Sequence, residues 1–439
     1  MGYSTHDLAL PVTGGGRSAA TRRLLVYART VKFAGERLSM AVSDDTASNE
    51  GVAPLRTEHI RELMERSGLR SVHVLAWRDL ADPEAGGSEV HAARIAGAWA
   101  AEGLNVTMRT SAAAGHPSEE QRDGYRVIRR SGRHVVFPST VVEQVSGRLG
   151  RPDALLEVWN GVPYLSPIWS RRPKVVFIHH VHREMWSAAL RPGLARFGHV
   201  LEHRIAPPFY RRTRVLTPSQ ATREEVIEYL GLPAANVRVV GPGVDDHFTP
   251  GGTKADSPTV LCVGRLVPHK RVDELIRMMP RLRLRVPGAR LLVLGSGYCR
   301  GELENLVDSL DAGSFVELRG RVSDEELVDA YRAAWVVTSA SFAEGWGMTI
   351  TEAAACGTPA VVTRVGGHCD SVSEGDSGLL ADSLNELENQ LVEVLTDDEL
   401  RTSLALGARK RGIDSTWTAT ATTVFGELAA AADPTLGVE

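Results

Sequence analysis

The feature that most constrains the fold is an alternation of short apolar runs with helix-like stretches, which begins near residue 71, breaks once, and begins again near residue 260. In the first series, strand-like runs at 71–77, 105–109, 125–129, 155–159, 174–179 and 215–218 are separated by stretches that include helices at 87–102, 192–210 and 221–230. In the second, strands at 260–263, 290–294, 315–318, 336–339 and 360–363 alternate with helices at 271–286, 299–310, 324–333 and 348–356. Short, continuously apolar strands must be covered on both faces, so each series reads as a mostly parallel sheet between two layers of helices. A Gly/Pro-rich connection from Gly241-Pro-Gly243 to Pro258 separates the two.

The expected fold class is α/β, with two Rossmann-like domains facing each other across a cleft. Ligands in such sheets lie at the C-terminal ends of the strands, here where the two sets meet. The expected boundaries are an N-terminal extension at 1–68, partly disordered, and domains at 69–240 and 241–412. A helix at about 416–431, within a crossover segment and tail at 413–439, is long enough to return to the first domain. Within the extension, 57–67 reads as a helix leading into the fold. Residues 21–40 are basic with interspersed Leu and Val, which suits either a membrane-surface helix or a poorly ordered arm.

Composition excludes several classes. Hydrophobic residues make up 43% and charged residues 24%, as in a folded globular chain, and no apolar run is long enough to span a bilayer. No signal-peptide pattern opens the chain, so a cytoplasmic location is expected. Cys262, Cys299, Cys356 and Cys369 lack metal-site spacing and read as small buried thiols. Charge is unevenly divided: residues 1–240 carry 32 Lys+Arg against 24 Asp+Glu, and residues 241–439 carry 18 against 30. The basic half either attracts an anionic partner, a membrane surface among them, or complements the acidic half across the cleft. No nucleic-acid partner is expected.

Three segments of the second half carry chemistry. In Val263-Gly-Arg-Leu-Val-Pro-His-Lys270 a strand ends at Gly264, and Arg265 and Lys270 follow at the mouth of the sheet, where both can grip a diphosphate. Val293-Leu-Gly-Ser-Gly297 is a glycine turn at Gly295 whose backbone can approach phosphate or sugar oxygens. Ala343-Glu-Gly-Trp-Gly-Met-Thr-Ile-Thr-Glu352 sets Glu344 just before a helix and Glu352 roughly one and a half turns inside it. The N–H groups of Gly347, Met348 and Thr349 open that helix and favour negative charge. Two carboxylates at this separation suit two sugar diols, with a diphosphate between them.

These elements, together with Gly357-Thr-Pro359 and Gly366-Gly367, resemble family 4 of the retaining glycosyltransferases over almost the whole of 240–430. The resemblance implies the GT-B fold and a nucleoside diphosphate sugar, UDP- or GDP-linked, as donor. It assigns Arg265 and Lys270 to the donor diphosphate, Glu344 to hydroxyls of the donor sugar, and Glu352 to the ribose diol. Base selection by backbone is expected around Arg321 and Val322. One departure stands after Gly367, where the family commonly continues toward a Glu and this chain has His368-Cys369-Asp370.

The first half is similar more loosely. Glu84-Ala-Gly-Gly-Ser88 matches the family's glycine loop, with Gly86 and Gly87 near the donor phosphate and acceptor. Val176-Phe-Ile-His-His-Val-His182 matches a strand ending in a histidine that contacts the donor sugar. The apolar run selects His179 for that role, with His180 and His182 as rivals. Their spacing fits no standard metal site. Glu157 and Asn160 read either as acceptor contacts or as a strand-to-loop cap.

The activity so implied is transfer of a glycosyl group to an acceptor hydroxyl with retention, by front-face attack. No Asp-x-Asp metal motif stands at a strand end, so no metal cofactor is expected, and Arg265 and Lys270 take the metal's place. The acceptor could be a lipid, a metabolite or a polysaccharide. A sugar-nucleotide epimerase of the same fold and a non-catalytic nucleotide-sugar-binding protein are the rival readings.

Overall fold

In the computed structural model, residues 59–183, 186 and 192–436 are described. The expectations for 1–58 lie outside them. The first sheet contains β1 (Ser71–Leu75), β2 (Asn105–Thr110), β3 (Glu119–Arg122), β4 (Tyr125–Arg129), β5 (Ala154–Trp159), β6 (Lys174–Ile178), β7 (Arg214–Thr217) and β8 (Val237–Val239). Their order is β3-β4-β2-β1-β5-β6-β7-β8. Every neighbouring pair is parallel except the β3–β4 hairpin at the edge.

The second sheet contains β9 (Thr259–Val263), β10 (Arg290–Leu294), β11 (Val316–Gly320), β12 (Val336–Ser339), β13 (Ala360–Thr363) and β14 (Gly378–Ala381). It is parallel throughout, in the order β11-β10-β9-β12-β13-β14. Successive side chains of a strand point to opposite faces, yet all six residues of β5 and all four of β13 are buried. Both faces of each sheet are therefore covered, which is why the strands read as unbroken apolar runs.

Helix Ile60–Ser67 belongs to the first lobe. Ile60, Leu63 and Met64, at i, i+3 and i+4, are buried in the same cluster as Phe425 and Leu428, so the folded lobe begins before residue 69. The final helix, Trp417–Ala432, crosses back to the first lobe. It packs on helices Ile60–Ser67 and Gly87–Ala101 and on β6. Trp99 Nε1 donates to the Ala421 carbonyl at 2.9 Å, and Arg214 and Arg238 both pair with Glu427.

Three differences from the sequence reading have local causes. The expected helix at 192–210 is an α-helix only over Pro192–Val200. It widens over Leu201–Ile205 and restarts at Pro207–Tyr210. Pro207 and Pro208 have no N–H to donate, and the Ala206 N–H instead reaches the Leu201 carbonyl at 2.9 Å. Strand β3, Glu-Glu-Gln-Arg, is too polar to announce itself, being an edge strand. Among the cysteines only Cys262 and Cys356 are buried; Cys369 is exposed.

Candidate functional site

The ends of β9, β10 and β11 are stitched together at the cleft. Gly264 N–H bonds the Leu294 carbonyl at 3.0 Å, and Gly295 N–H bonds the Gly320 carbonyl at 2.7 Å. A Cβ on Gly295 would collide with the Gly264 carbonyl, so the two turns can meet only because residue 295 has no side chain. Arg265 emerges from this junction exposed, and its guanidinium makes no ion pair or hydrogen bond to another described residue. Lys270, one short turn later, is ion-paired to Glu344, whose Oε1 also accepts from Ser341 Oγ at 2.7 Å.

The two carboxylates titrate in opposite directions. Burial pushes Glu344 up, but the charges of Lys270 and His368 and the hydrogen bonds from Lys270 and Ser341 outweigh it and hold Glu344 at about 2. Glu352 is pushed up to about 7 by burial, with Asp245 and Asp324 adding to the effect and a 2.7 Å hydrogen bond from Tyr331 opposing it.

An acid with a raised folded pKa binds its proton more tightly in the folded state. Stability therefore falls as pH rises from about 4.5 to above about 7, by on the order of 3 kcal/mol for such a shift. We expect Glu352→Gln to melt several degrees above the wild type at pH 8 and level with it below pH 4.5. It should also bind nucleoside diphosphate about tenfold more weakly. Thermal melts across pH check this, and parallel profiles for the two proteins would contradict it.

Helix Met348–Ala355 starts at Gly347, whose φ of +99° favours glycine, and no side chain caps it. Its first N–H groups, including those of Met348 and Thr349, therefore have no helical acceptor and favour an anion. The first lobe faces this helix closely. A Cβ on Gly87 would lie 3.1 Å from Met348 Sδ, and one on Gly86 would lie 3.7 Å from Arg265 Nε. Gly86 and Gly87 are thus the points where the two lobes come together over Arg265 and the open helix end.

Sequence reasoning missed what fixes that loop. Glu89 accepts from the Gly86 N–H at 2.8 Å and is held in turn by buried Arg78 at 3.2 Å. The signal was present as a capping-box Glu three residues after Gly86. Asn160 reaches the same loop, donating to Ser88 Oγ at 3.4 Å. Glu157 is not in the cleft: it is fully buried and accepts from Tyr164 N–H at 2.7 Å, Ser166 N–H at 3.3 Å and Tyr210 O–H at 2.6 Å. It is a cap that shapes the loop after β5, and not an acceptor contact.

The three histidines after β6 part company. His179 is buried, its ring against Phe177 (4.6 Å between centroids) and His91 (4.8 Å). Its carbonyl is close enough to Gly345 to forbid a side chain there. His180 instead stands among the cleft charges. Burial lowers its pKa most, and His182, His269 and Arg265 lower it further, against an opposing pull from Glu344. His182 turns toward Gly161 and lies 3.5 Å from Glu202. Of these three histidines, His180 is the one influenced by both Arg265 and Glu344. The apolar run selected His179 because it marks the end of the strand; the side chains alternate beyond that point.

Arg321 is exposed just beyond β11, and Val322 packs in the cluster that contains Tyr331, the partner of Glu352. The departure at His368-Cys369-Asp370 has a definite role. Asp370 accepts from the N–H groups of Gln220 and Ala221 at 3.1 and 3.4 Å, capping a first-lobe helix across the interface. His368 is buried with Nδ1 2.8 Å from the Thr363 carbonyl, and its ring contributes to holding Glu344 ionised.

Two facing α/β lobes bridged by a crossover helix, with Arg265, Lys270 and Glu344 where the second lobe meets the first, have the GT-B architecture of glycosyltransferases. The comparisons agree. The family Glycosyl transferases group 1 matches residues 244–411, and Glycosyltransferase Family 4 matches residues 85–248.

The D-inositol 3-phosphate glycosyltransferase of Pseudarthrobacter chlorophenolicus is 30% identical over 85% of this chain and 97% of its own. The GDP-mannose-dependent alpha-(1-6)-phosphatidylinositol monomannoside mannosyltransferase of Mycolicibacterium smegmatis is 28% identical over 67% of this chain and 81% of its own. Among solved structures, sucrose-phosphate synthase from Thermosynechococcus elongatus shares the fold. Its TM-score is 0.69 at 22% identity, covering 81% of this chain and 97% of that one. The chain belongs to glycosyltransferase family 4.

Proposed function

We propose that this glycosyltransferase moves a hexosyl group from a nucleoside diphosphate sugar to a hydroxyl of a phosphate-bearing acceptor, with retention and without a metal ion. The observation that carries the reading is Arg265. It is a guanidinium with no ion pair or hydrogen bond to any other described residue, opposite Gly86, with Lys270–Glu344 and the uncapped start of helix Met348–Ala355 in the same cleft. That arrangement suits a diphosphate whose negative charge grows as the glycosidic bond breaks.

Glu352 would take the ribose diol and Glu344 the sugar hydroxyls. Lys270 would turn from Glu344 toward the phosphate once the donor enters. In a front-face reaction the acceptor hydroxyl attacks the anomeric carbon from the side of the departing diphosphate. The acceptor proton passes to the leaving phosphate oxygen, so the chain need supply no nucleophile.

The names of two relatives point to acceptors built on phosphorylated inositol, and one of them to GDP-mannose as donor. The first 240 residues, with 32 Lys+Arg against 24 Asp+Glu, suit an anionic acceptor and contact with an anionic membrane. The test is an incubation of GDP-mannose and of UDP-sugars, with and without inositol phosphate or phosphatidylinositol, in the presence of EDTA. The expected result is nucleoside diphosphate release in proportion to acceptor, unaffected by chelation, with an α-linked product from an α-linked donor. Conversion of the donor without acceptor would mark an epimerase. Binding without turnover across the panel would mark a non-catalytic protein.

A further inference from the structure

Helix Pro192–Val200 and its continuation through Ile205 are amphipathic the wrong way round for a helix that only packs on its own lobe. Its inward residues are small or acidic: Ala195, Gly198, Glu202 and Ala206 are buried. Gly198 lies against the Trp186 ring, and Glu202 accepts from Trp186 Nε1 at 2.8 Å and from His182 N–H at 3.0 Å. The large apolar side chains face solvent instead. Leu194 is 59% exposed, Phe197 62%, Ile205 44% and Phe209, on the next helical turn, 47%. Ile168, 54% exposed, lies on helix Ser166–Trp169, which packs on Pro207–Tyr210 and extends the same face. Burying small residues while exposing Phe, Leu and Ile leaves a patch that water alone does not stabilise.

The charge around the patch names its partner. Arg196, Arg204, Arg211 and Arg212 are exposed and make no ion pair with another described residue. Residues 166–212 carry nine Lys+Arg against two Asp+Glu, and one of those two acids is the buried Glu202. Such a surface repels a second copy of itself. It also repels the chain's own basic segment 21–40, which carries Arg22, Arg23, Arg29, Lys32 and Arg37. Arginines that reach phosphates while aromatic and aliphatic side chains enter the acyl boundary are what an anionic bilayer accommodates, and nucleic acid offers no place for the apolar part.

We propose that helix 192–205 and the turn at 207–210 form a docking face for an anionic phospholipid bilayer. The reading rests on the membrane contact included in the proposed function and assigns it to a surface. The same helix holds His182 through Glu202, and the His180 and His182 rings are 4.4 Å apart. Docking here therefore sets the histidine side of the cleft toward the membrane, where a lipid-borne acceptor would enter.

The full chain is tested for flotation with vesicles of phosphatidylglycerol and phosphatidylcholine, and with phosphatidylcholine alone, against F197D/F209D and R196E/R204E. The wild type should float with the anionic vesicles and lose them as salt is raised. F197D/F209D should bind roughly a hundredfold more weakly. R196E/R204E should bind weakly at low salt. The thermal shift given by nucleoside diphosphate should be equal in all three proteins, so an intact donor site is read separately from vesicle binding. Wild-type binding by F197D/F209D would overturn the proposal, as would no binding by the wild type. A concentration-dependent dimer that F197D/F209D abolishes would overturn it in favour of self-association.

Discussion

Arg265→Ala is expected to lower kcat by roughly two to three orders of magnitude, with a much smaller change in KM. Arg265 has no structural partner to lose: its guanidinium is exposed and makes no ion pair or hydrogen bond to another described residue, so the variant should fold and melt as the wild type does. Its only cost falls on the bound state. In the donor the diphosphate is already anionic, and it gains a further charge as the sugar departs. A fixed cation opposite Gly86 therefore stabilises the transition state more than the ground state. A loss of that size corresponds to about 3–4 kcal/mol. Steady-state release of nucleoside diphosphate measures it. Unchanged kcat would take Arg265 out of the reaction.

Lys270→Met should cost both activity and stability, because Lys270 has two duties. In the empty site it neutralises half-buried Glu344 and, with His368 and Ser341, holds that carboxyl at about 2. A carboxylate whose folded pKa lies below its unfolded value stabilises the fold above about pH 4.5, and the contribution is lost as pH falls toward 2. Without the ammonium, Glu344 is a half-buried charge left with the Ser341 hydroxyl and the His368 ring. The expected loss at pH 7 is on the order of 3 kcal/mol. K270M/E344Q should recover most of that stability while remaining at least about a hundredfold slower than the wild type, since the diphosphate has still lost a cation. Urea unfolding of the wild type, both single variants and the double variant separates the two duties. A double variant as unstable as K270M would show that the ion pair is not what holds this corner together.

The fold was legible wherever the sequence carried a period. The two sets of buried parallel strands showed as apolar runs because both faces of each sheet are covered, and Arg290–Leu294, Val336–Ser339 and Ala360–Thr363 have the expected limits. Illegible elements were those whose residues have other reasons to be there. Strand β3 is a polar edge. Helices Leu384–Thr396 and Asp398–Asp414 lie beyond Ala360–Thr363, the last strand whose apolar run stands out in the sequence.

In the site, Gly86, Gly87, Gly264, Gly295 and Gly347 were readable, because a missing side chain at a strand end or helix start has few other uses. Which histidine faces the cations was not readable, since it depends on how the chain turns after Ile178. Nor was the use of Asp370 as a cap on a helix of the opposite lobe, because such a contact joins residues about 150 positions apart and leaves no local signature.

In the proposed mechanism four side chains from two segments of the second lobe, 265–270 and 344–352, form one nucleotide site between the lobes. Calorimetric titration of GDP and UDP into the wild type and into R265A/K270M tests it most directly. The expected result is one nucleoside diphosphate bound per chain by the wild type, and affinity lower by roughly a hundredfold or more in the variant. Equal affinity in the two proteins, or no saturable binding of either nucleotide to the wild type, would contradict it.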